Sequence, residues 1–214
     1  MTIKTGAKAQ GRYKKQTGGR GQYGDCWVRF APRPRGSGYE FVDSIVGGVI
    51  PNKYIPAVDK GIQEAAERGV VAGYPLVDFQ AECYDGSYHD VDSNEMSFKM
   101  AGIQGFRNVA PKCRPILLEP LVDVEVWTPD DVLGDVMGDL SARRGQILGT
   151  EPDGRLTKVR AVLPEAELYK YSTTLHSITH GRGTHRQRFH GYAEAPPEVA
   201  AKVAAENQKE HAVA

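Results

Sequence analysis

The feature that most constrains the fold is the order of hydrophobic periods in the second half of the chain. Apolar residues alternate as in strands or repeat at helical spacing, in the order strand, helix, strand, strand, helix, strand. The predicted strands cover 117–127, 146–149, 156–163 and 184–192, and the predicted helices begin near Thr128 and Leu168. This order is that of the split βαββαβ unit of ferredoxin-like domains.

Local signals define the ends of that unit. Thr128 is predicted to cap the first helix, with Pro129 at its first position and acidic residues in its first turn. The segment Pro111–Pro115 is predicted to separate this half from the preceding one, which divides the chain into domains 1–115 and 116–195. Residues 196–214 are rich in Ala and Glu, and a solvated or frayed tail is expected there.

The first half also mixes strands and helices. Cys26–Phe30 and Tyr39–Val46 alternate and are predicted to pair as a hairpin, whereas the glycine-rich stretch from Gly18 to Gly21 is predicted to be a loop. A helix over Ile55–Arg68 and a strand over 75–84 follow. A second helix is predicted up to Asn108, with Asp92 in the capping position three residues before Glu95. Both halves are therefore of the α+β class.

Charge is distributed unevenly although the net charge is zero, with 27 basic and 27 acidic residues. Residues 1–35 hold nine basic residues and a single acid, Asp25, whereas residues 119–139 hold seven acids and no Lys or Arg. A second basic stretch runs from Lys170 to Arg188. Such a pattern favours an anionic partner at particular surfaces, and the alternative is a basic arm that only keeps the chain in solution.

Composition excludes several classes of protein. The hydrophobic content of 40% is sufficient for a core, and there is neither a Gly-X-Y repeat nor a long heptad run. No run of 18 apolar residues and no secretory signal is visible, so neither a membrane span nor secretion is expected. The three cysteines include no CxxC pair, which predicts a reduced, cytoplasmic protein.

The motifs that could indicate enzymatic chemistry do not fit their structural context. Residues Gly19–Gly24 match GxGxxG, but a strand rather than a helix follows, so a dinucleotide site is not expected. No P-loop motif occurs, and therefore no site for a nucleoside triphosphate is predicted. Four histidines between His176 and His190 lack companion ligands at metal-binding spacing, so no metal site is expected.

Two polar loops are better suited to contact with RNA. In the first loop, Arg20, Gln22 and Tyr23 could meet a phosphate, a base edge and a stacked base. The second loop carries Ser87, Tyr88, His89 and Asp90, and neighbours on one loop do not provide the geometry of a catalytic triad. We therefore predict no catalytic residues. A hairpin loop without any ligand is the alternative for the first segment.

Several motifs together resemble bacterial elongation factor G. They appear in that family's order between about residues 2 and 200. They are Gln16–Gly24, Gly47–Pro51, Tyr54–Gly61, Ala72–Pro75, Gly86–Ser93, Leu118–Pro120 and Gly134–Gly145. The chain is similar to the last two domains of that factor, IV and V. The resemblance places Met1–Ile3 inside the family's first strand, which is expected to be truncated here.

The resemblance implies a fold and a role for each half. Domain IV is expected to have the α/β fold of ribosomal protein S5 domain 2, with a left-handed βαβ crossover, and domain V the ferredoxin-like fold. The tip of domain IV is expected to reach the decoding-region rRNA and the tRNA–mRNA duplex during translocation, and domain V to contact the large ribosomal subunit near its GTPase-associated centre. The expected tip residues are Gly18, Gly19, Arg20, Gln22, Tyr23, Ser87, Tyr88, His89 and Asp90.

The resemblance also implies what this chain lacks. GTP and magnesium are expected only in the family's GTPase domain, so no cofactor, no membrane and a monomeric state are predicted for this chain. Departures from the family pattern occur at Asp25–Trp27, Cys83–Asp85 and Gly102–Phe106. They leave open a paralogue, or a free-standing ribosome- or RNA-binding protein without translocase activity.

Overall fold

The computed structural model describes residues 1–16, 21–70 and 73–213, with side chains up to residue 207. Contacts divide the described chain into two units, each with its own hydrophobic core. The first unit comprises Met1–Leu117 and Pro196–Ala214, and the second comprises Leu118–Ala195. This is the two-domain α+β organisation that the sequence predicts. The predicted domain boundaries, 1–115 and 116–195, stay predictions.

The first unit contains a four-stranded sheet and two long helices. Its elements are β1 (Thr2–Ile3), β2 (Ala7–Lys15), β3 (Gln22–Pro32), β4 (Tyr39–Asp43), α1 (Ile55–Arg68), β5 (Phe79–Ser87), α2 (Glu95–Val109) and β6 (Pro115–Ile116). The sheet has the order β2-β3-β5-β4, and β1 pairs separately with β6. Helix α2 lies against β2 and β3, and α1 lies against α2. Phe30, Phe79 and Phe106 meet in the core with ring centroids 5.0–6.3 Å apart.

The predicted hairpin between Cys26–Phe30 and Tyr39–Val46 is wrong. Strand β3 pairs with β2 on one side and with β5 on the other, both antiparallel, and β4 pairs in parallel with β5. The periodicity predicts no strand at β2, because the residues that β2 turns inward are small. A Cβ atom on Gly11 would lie 2.1 Å from the carbonyl oxygen of Ala101 in α2. Helix and strand backbones therefore meet directly, without large apolar side chains between them.

Helix α1 has the predicted bounds, Ile55–Arg68, whereas α2 begins differently from the prediction. The N-cap of α2 is Asn94, whose side-chain oxygen accepts a hydrogen bond from the backbone N–H of Ser97 at 2.8 Å. Asp92 is not the cap. Its backbone carbonyl accepts a hydrogen bond from the N–H of Tyr23, and its carboxylate lies against Gly21. The predicted strand over 75–84 begins later and runs on to Ser87.

The second unit has the predicted βαββαβ order. Its elements are β7 (Leu118–Thr128), α3 (Leu133–Ala142), β8 (Gln146–Asp153), β9 (Leu156–Pro164), α4 (Tyr171–Ile178) and β10 (Thr184–Glu194). The sheet order is β10-β7-β9-β8 and every pairing is antiparallel. Val122, Val124 and Val126 point from the central strand β7 towards α3 and α4, as their alternation predicts.

Both helices of this unit begin later than predicted. Pro129 precedes a 3-10 turn at Asp130–Val132, and α3 begins only at Leu133. Thr128 is not the N-cap, since it is buried at the end of β7 and makes no side-chain capping bond. Similarly, Lys170 adopts a left-handed conformation (φ 56°) before α4 begins at Tyr171.

The C-terminal segment is helical rather than frayed, because α5 covers Pro197–Val213. The alternative of a frayed tail is therefore wrong, whereas a solvated segment agrees with side chains that are half-buried or exposed over 197–207. Alanine has the highest helix propensity, so the same composition that indicates a solvated segment also favours a helix. Half-buried residues recur at helical spacing, at Val199, Ala200, Val203 and Ala204. In the described part of the chain, no helix is long and apolar enough to cross a membrane.

Candidate functional site

Two segments far apart in sequence meet at one end of the first unit. The backbone N–H of Tyr23 donates to the carbonyl oxygen of Asp92 at 2.9 Å, and Ser93 Oγ donates to the carbonyl oxygen of Tyr23 at 2.9 Å. A parallel bridge joins Tyr23 and Ser93. We call the part formed by residues 21–23 and 87–93 the tip.

The strand pairing explains why these segments meet. Strand β3 begins at Gln22 and lies beside β5, which ends at Ser87, so that Asp25 stands opposite Ser87. The chain then turns and enters α2 at Asn94. The turn is closed by Ser93, whose backbone N–H donates to the carbonyl oxygen of His89 and whose Oγ accepts from the His89 N–H at 2.9 Å.

The predicted contact residues of the second loop lie at the surface. The side chain of His89 is 58% exposed, and those of Tyr88 and Asp90 are also exposed. The His89 ring lies near Tyr23, with ring centroids 6.5 Å apart, and its Nδ1 is 3.7 Å from Asp92 Oδ2. His89 is therefore exposed and close to Tyr23 of the first loop, and its contact with RNA stays a prediction. Of that first loop, Gly18, Gly19 and Arg20 lie outside the described residues.

Gln22 and Tyr23 present different groups to the surface. Gln22 Oε1 accepts a hydrogen bond from the Tyr13 hydroxyl at 3.1 Å. This bond orients the Gln22 amide, whose NH₂ group is a double donor. The guanidinium of Arg12 lies over the Tyr23 ring, 5.6 Å from the centroid, so that a cation and an aromatic ring stand together beside the loop.

Ser87 is held inside a polar network rather than in a loop. Its Oγ lies 2.7 Å from Asp25 Oδ2 and 2.7 Å from the Tyr23 hydroxyl. The carboxylate can only accept, so Ser87 donates its single hydroxyl proton to Asp25 and accepts from Tyr23. Gln10 Nε2 donates to the other carboxylate oxygen of Asp25 at 2.7 Å.

Asp25 supports the tip from behind, and no motif in the sequence indicated this role. It is 7% exposed, and through Ser87 and Tyr23 it joins strand β3 to β5 beside the tip. The sequence did contain a signal, because Asp25 is the single acid among the first 35 residues. A lone carboxylate in a basic segment is a candidate for a buried, hydrogen-bonded position.

The cysteines offer no reactive thiol. All three are free and buried. Burial raises the pKa of Cys83 to about 12 and that of Cys113 to about 11, and it also raises the pKa of Cys26. These thiols therefore stay protonated near neutral pH, and the thiolate is the reactive form.

Two histidines of the second unit have different partners. His185 stands edge-on to the Tyr171 ring at 5.0 Å, whereas His190 Nδ1 lies 2.9 Å from the Asp123 carboxylate. Burial lowers the pKa of His185, which favours its neutral form. Among the described residues, no group of three or more His, Cys, Asp or Glu side chains is placed to hold a metal ion.

Comparisons with known proteins relate both units to one translation factor. The family model described as elongation factor G, domain IV, matches residues 1–114, and that described as elongation factor G C-terminus matches residues 116–203. Elongation factor G of Aquifex pyrophilus is 51% identical over 205 residues, covering 96% of this chain and 29% of that protein.

A solved structure gives the same relation. A crystal structure of a protein from Thermus thermophilus matches with a TM-score of 0.84 and 47% sequence identity, covering 97% of this chain and 31% of that one. The chain thus spans less than a third of the length of these relatives.

Proposed function

The chain belongs to the elongation factor G family, and from that premise we propose that its tip contacts the ribosomal decoding region and supports GTP-dependent tRNA–mRNA translocation. The two units correspond to domain IV and the C-terminal part of this translation factor. The observation that carries the proposal is the tip itself, in which the exposed His89 lies near Tyr23, with Gln22 and the exposed Tyr88 next to them in sequence.

The chemistry of the tip suits an RNA duplex. An amide NH₂ group and an imidazole can donate to phosphate and ribose oxygens or to base edges, and tyrosine rings can stack on bases. The tip is also stiffened from behind, because Tyr23 is hydrogen-bonded to Ser87, Ser93 and Asp92. A stiff element transmits movement to the duplex that it contacts, whereas a loose loop would yield.

The second unit is proposed to contact the large subunit near its GTPase-associated centre. Its exposed basic residues include Arg182, Arg186 and Arg188, which suit a phosphate surface. We further propose that this chain acts in the cytoplasm as a monomer and holds neither GTP nor magnesium. In the whole protein, the GTPase domain would supply nucleotide binding and hydrolysis.

The test uses the full-length protein to which this chain belongs. His89→Ala and Gln22→Ala should slow single-round translocation on ribosomes by about tenfold, corresponding to about 1.4 kcal/mol in the barrier. Ribosome-stimulated GTP hydrolysis should be unchanged, because the GTP site lies elsewhere. Gln63→Ala is the matched control, since Gln63 is exposed on α1 away from the tip and its amide donates to the neighbouring Asp59.

Three results would count against the proposal. Translocation by the tip variants could equal that of the Gln63→Ala control, or their defect could be confined to GTP hydrolysis. The unaltered protein could also bind ribosomes without translocating them, and that result would support the non-translocating paralogue instead.

A further inference from the structure

The first sheet has an outer face that the tip does not explain. Along β3, Cys26, Val28 and Phe30 are buried in the core on the side of α2. Successive strand residues point to opposite faces, so Trp27 and Arg29 lie on the other side. The same alternation on β2 places Lys8, Arg12 and Lys14 on that side, because Ala9 and Gly11 face the core and α2.

An irregularity in β5 adds an aromatic ring to this outer face. Trp27 pairs with Asp85, but the next residue, Val28, pairs with Cys83, so Tyr84 is the extra residue of a β-bulge. Bulges redirect side chains in this way. Cys83 is fully buried and Gly86 faces the core residue Ile50, which leaves Tyr84 and Asp85 for the outer face. The guanidinium of Arg29 then lies over the Tyr84 ring at 4.8 Å.

Charge across the outer face falls from one edge to the other. Strand β2 is the edge strand, and it carries Lys8, Arg12, Lys14 and Lys15 without an acid between Ala7 and Lys15. The acids of this face begin on β3, where Asp25 stands opposite Arg12, and continue on β5, where Glu82 is 3.4 Å from Arg29. The face therefore combines a basic edge with an aromatic centre.

We propose that the outer face of the first sheet binds single-stranded RNA, with the RNA backbone along β2 and bases stacked on Trp27 and on the Tyr84–Arg29 pair. A basic groove that follows the backbone, beside aromatic rings that stack on bases, is the general solution for single-stranded nucleic acid. A four-stranded sheet presents such rings on one open face in known RNA-binding folds. This surface adjoins the tip, because Arg12 also lies over the Tyr23 ring, but the binding of single-stranded RNA goes beyond the proposed translocation function.

The outer face of the second sheet serves as an internal comparison. Trp127 lies there, but its Nε1 donates to Asp153 at 2.8 Å and Lys158 stands over its ring at 6.0 Å. Lys158 is itself paired with Glu151. The Trp127 ring is thus anchored by a carboxylate and covered by a paired lysine, and we expect it not to stack on RNA.

The chain has two tryptophans, one on each outer face, so fluorescence can identify the face that binds. The Trp127→Phe variant leaves Trp27 as the reporter, and the Trp27→Phe variant leaves Trp127. Titration with a fluorescently labelled oligouridylate gives the affinity from anisotropy, and unlabelled oligouridylate gives the quenching. We expect quenching of Trp27 alone, and an affinity that falls with salt.

Substitutions then separate stacking from charge. Trp27→Leu and Tyr84→Leu should each weaken binding by about tenfold, whereas Trp27→Phe should keep most of the affinity because it keeps a ring. Tyr169→Leu, which removes an exposed tyrosine of the second unit, is the matched control. Lys8→Ala, on β2 opposite Arg29 and away from Tyr23, should lower the slope of log affinity against log salt by about one contact. Circular dichroism checks that each variant is folded.

The proposal is overturned if oligouridylate does not bind at about 100 μM, the weak end of non-specific binding. It is also overturned if Trp27→Leu binds as well as the control, if Trp127 is quenched instead, or if duplex RNA binds equally without quenching Trp27. His89→Ala should leave this affinity unchanged. A loss there would assign the binding to the tip, so failure of this proposal can be told from failure of the translocation proposal.

Discussion

The two sheets of the protein have the same layered plan, but part of the first sheet meets its helix without side chains between them. In the first unit, Gly11 and Gly24 let α2 approach the strand backbones, and a Cβ on Gly24 would lie 2.4 Å from the carbonyl oxygen of Ser97. In the second unit, Val124 and its neighbours on β7 pack against Val136 and Leu140. A helix can thus pack on a sheet either by direct backbone contact at glycines or through branched side chains. Only the branched side chains produce a hydrophobic period in the sequence.

The largest expected effect comes from filling the glycine contact. Gly11→Ala should destabilise the first unit by about 3 kcal/mol or more, because the new methyl group meets backbone atoms of α2 that cannot turn away. Urea unfolding in the Trp127→Phe background, followed by Trp27 fluorescence, measures this effect. An unchanged urea midpoint would show that the backbone contact at Gly11 is not tight, so the two sheets would not differ in this respect.

A somewhat smaller effect is expected from the branched contact. Val124→Ala removes a buried side chain from β7 and should cost the second unit about 2 kcal/mol. In a Trp27→Phe background, the Trp127 signal should shift to lower urea. If Val124→Ala cost more than Gly11→Ala, the glycine contact would not be the tighter of the two.

The polar support behind the tip is expected to contribute less again. Asp25→Ala leaves Gln10 and Ser87 without their buried acceptor and should cost about 1–2 kcal/mol in the Trp27 transition. Glu151→Ala is the control, because its ion pair with Lys158 lies at the surface of the second unit and should matter less. Equal losses for both variants would argue that the Asp25 network is no stronger than a surface pair.

A glycine with open space around it should respond to substitution in the opposite way to Gly11. A Cβ on Gly138, in the middle of α3, would have no atom within 4 Å. Gly138→Ala should therefore stabilise the second unit by about 0.5–1 kcal/mol, since glycine loses more backbone entropy than alanine in a helix. Thermal unfolding followed by Trp127 fluorescence is the measurement, and a lower midpoint would contradict the open space around this residue.

The smallest expected effect is at the tip. His89→Ala should change the free energy of unfolding of the first unit by less than about 0.5 kcal/mol, because the side chain is largely exposed. The same Trp27 unfolding assay applies. A large loss would show that His89 holds the loop together, and its effect on translocation would then have a structural explanation.

The tip could be predicted in part because its residues come from short polar loops. The exposure of His89 follows from flanking polar residues and from the turn between a strand and a helix. Its closeness to Tyr23 came from the resemblance, since spacing along the chain does not relate residues more than 60 positions apart. The role of Ser87 as a link between Tyr23 and Asp25 could not be predicted, because it depends on the register of β3 against β5.

The sequence by itself determined the elements whose signal is local. The βαββαβ order, the stripe of valines on β7 and the bounds of α1 follow from periodicity, which reports burial whenever apolar side chains fill the contact. Only the tertiary structure decided that β2 is a strand, that β4 pairs in parallel with β5 and that Asn94 begins α2. These features depend on backbone contacts between distant segments, and a glycine that permits close approach carries no hydrophobic signal of its own.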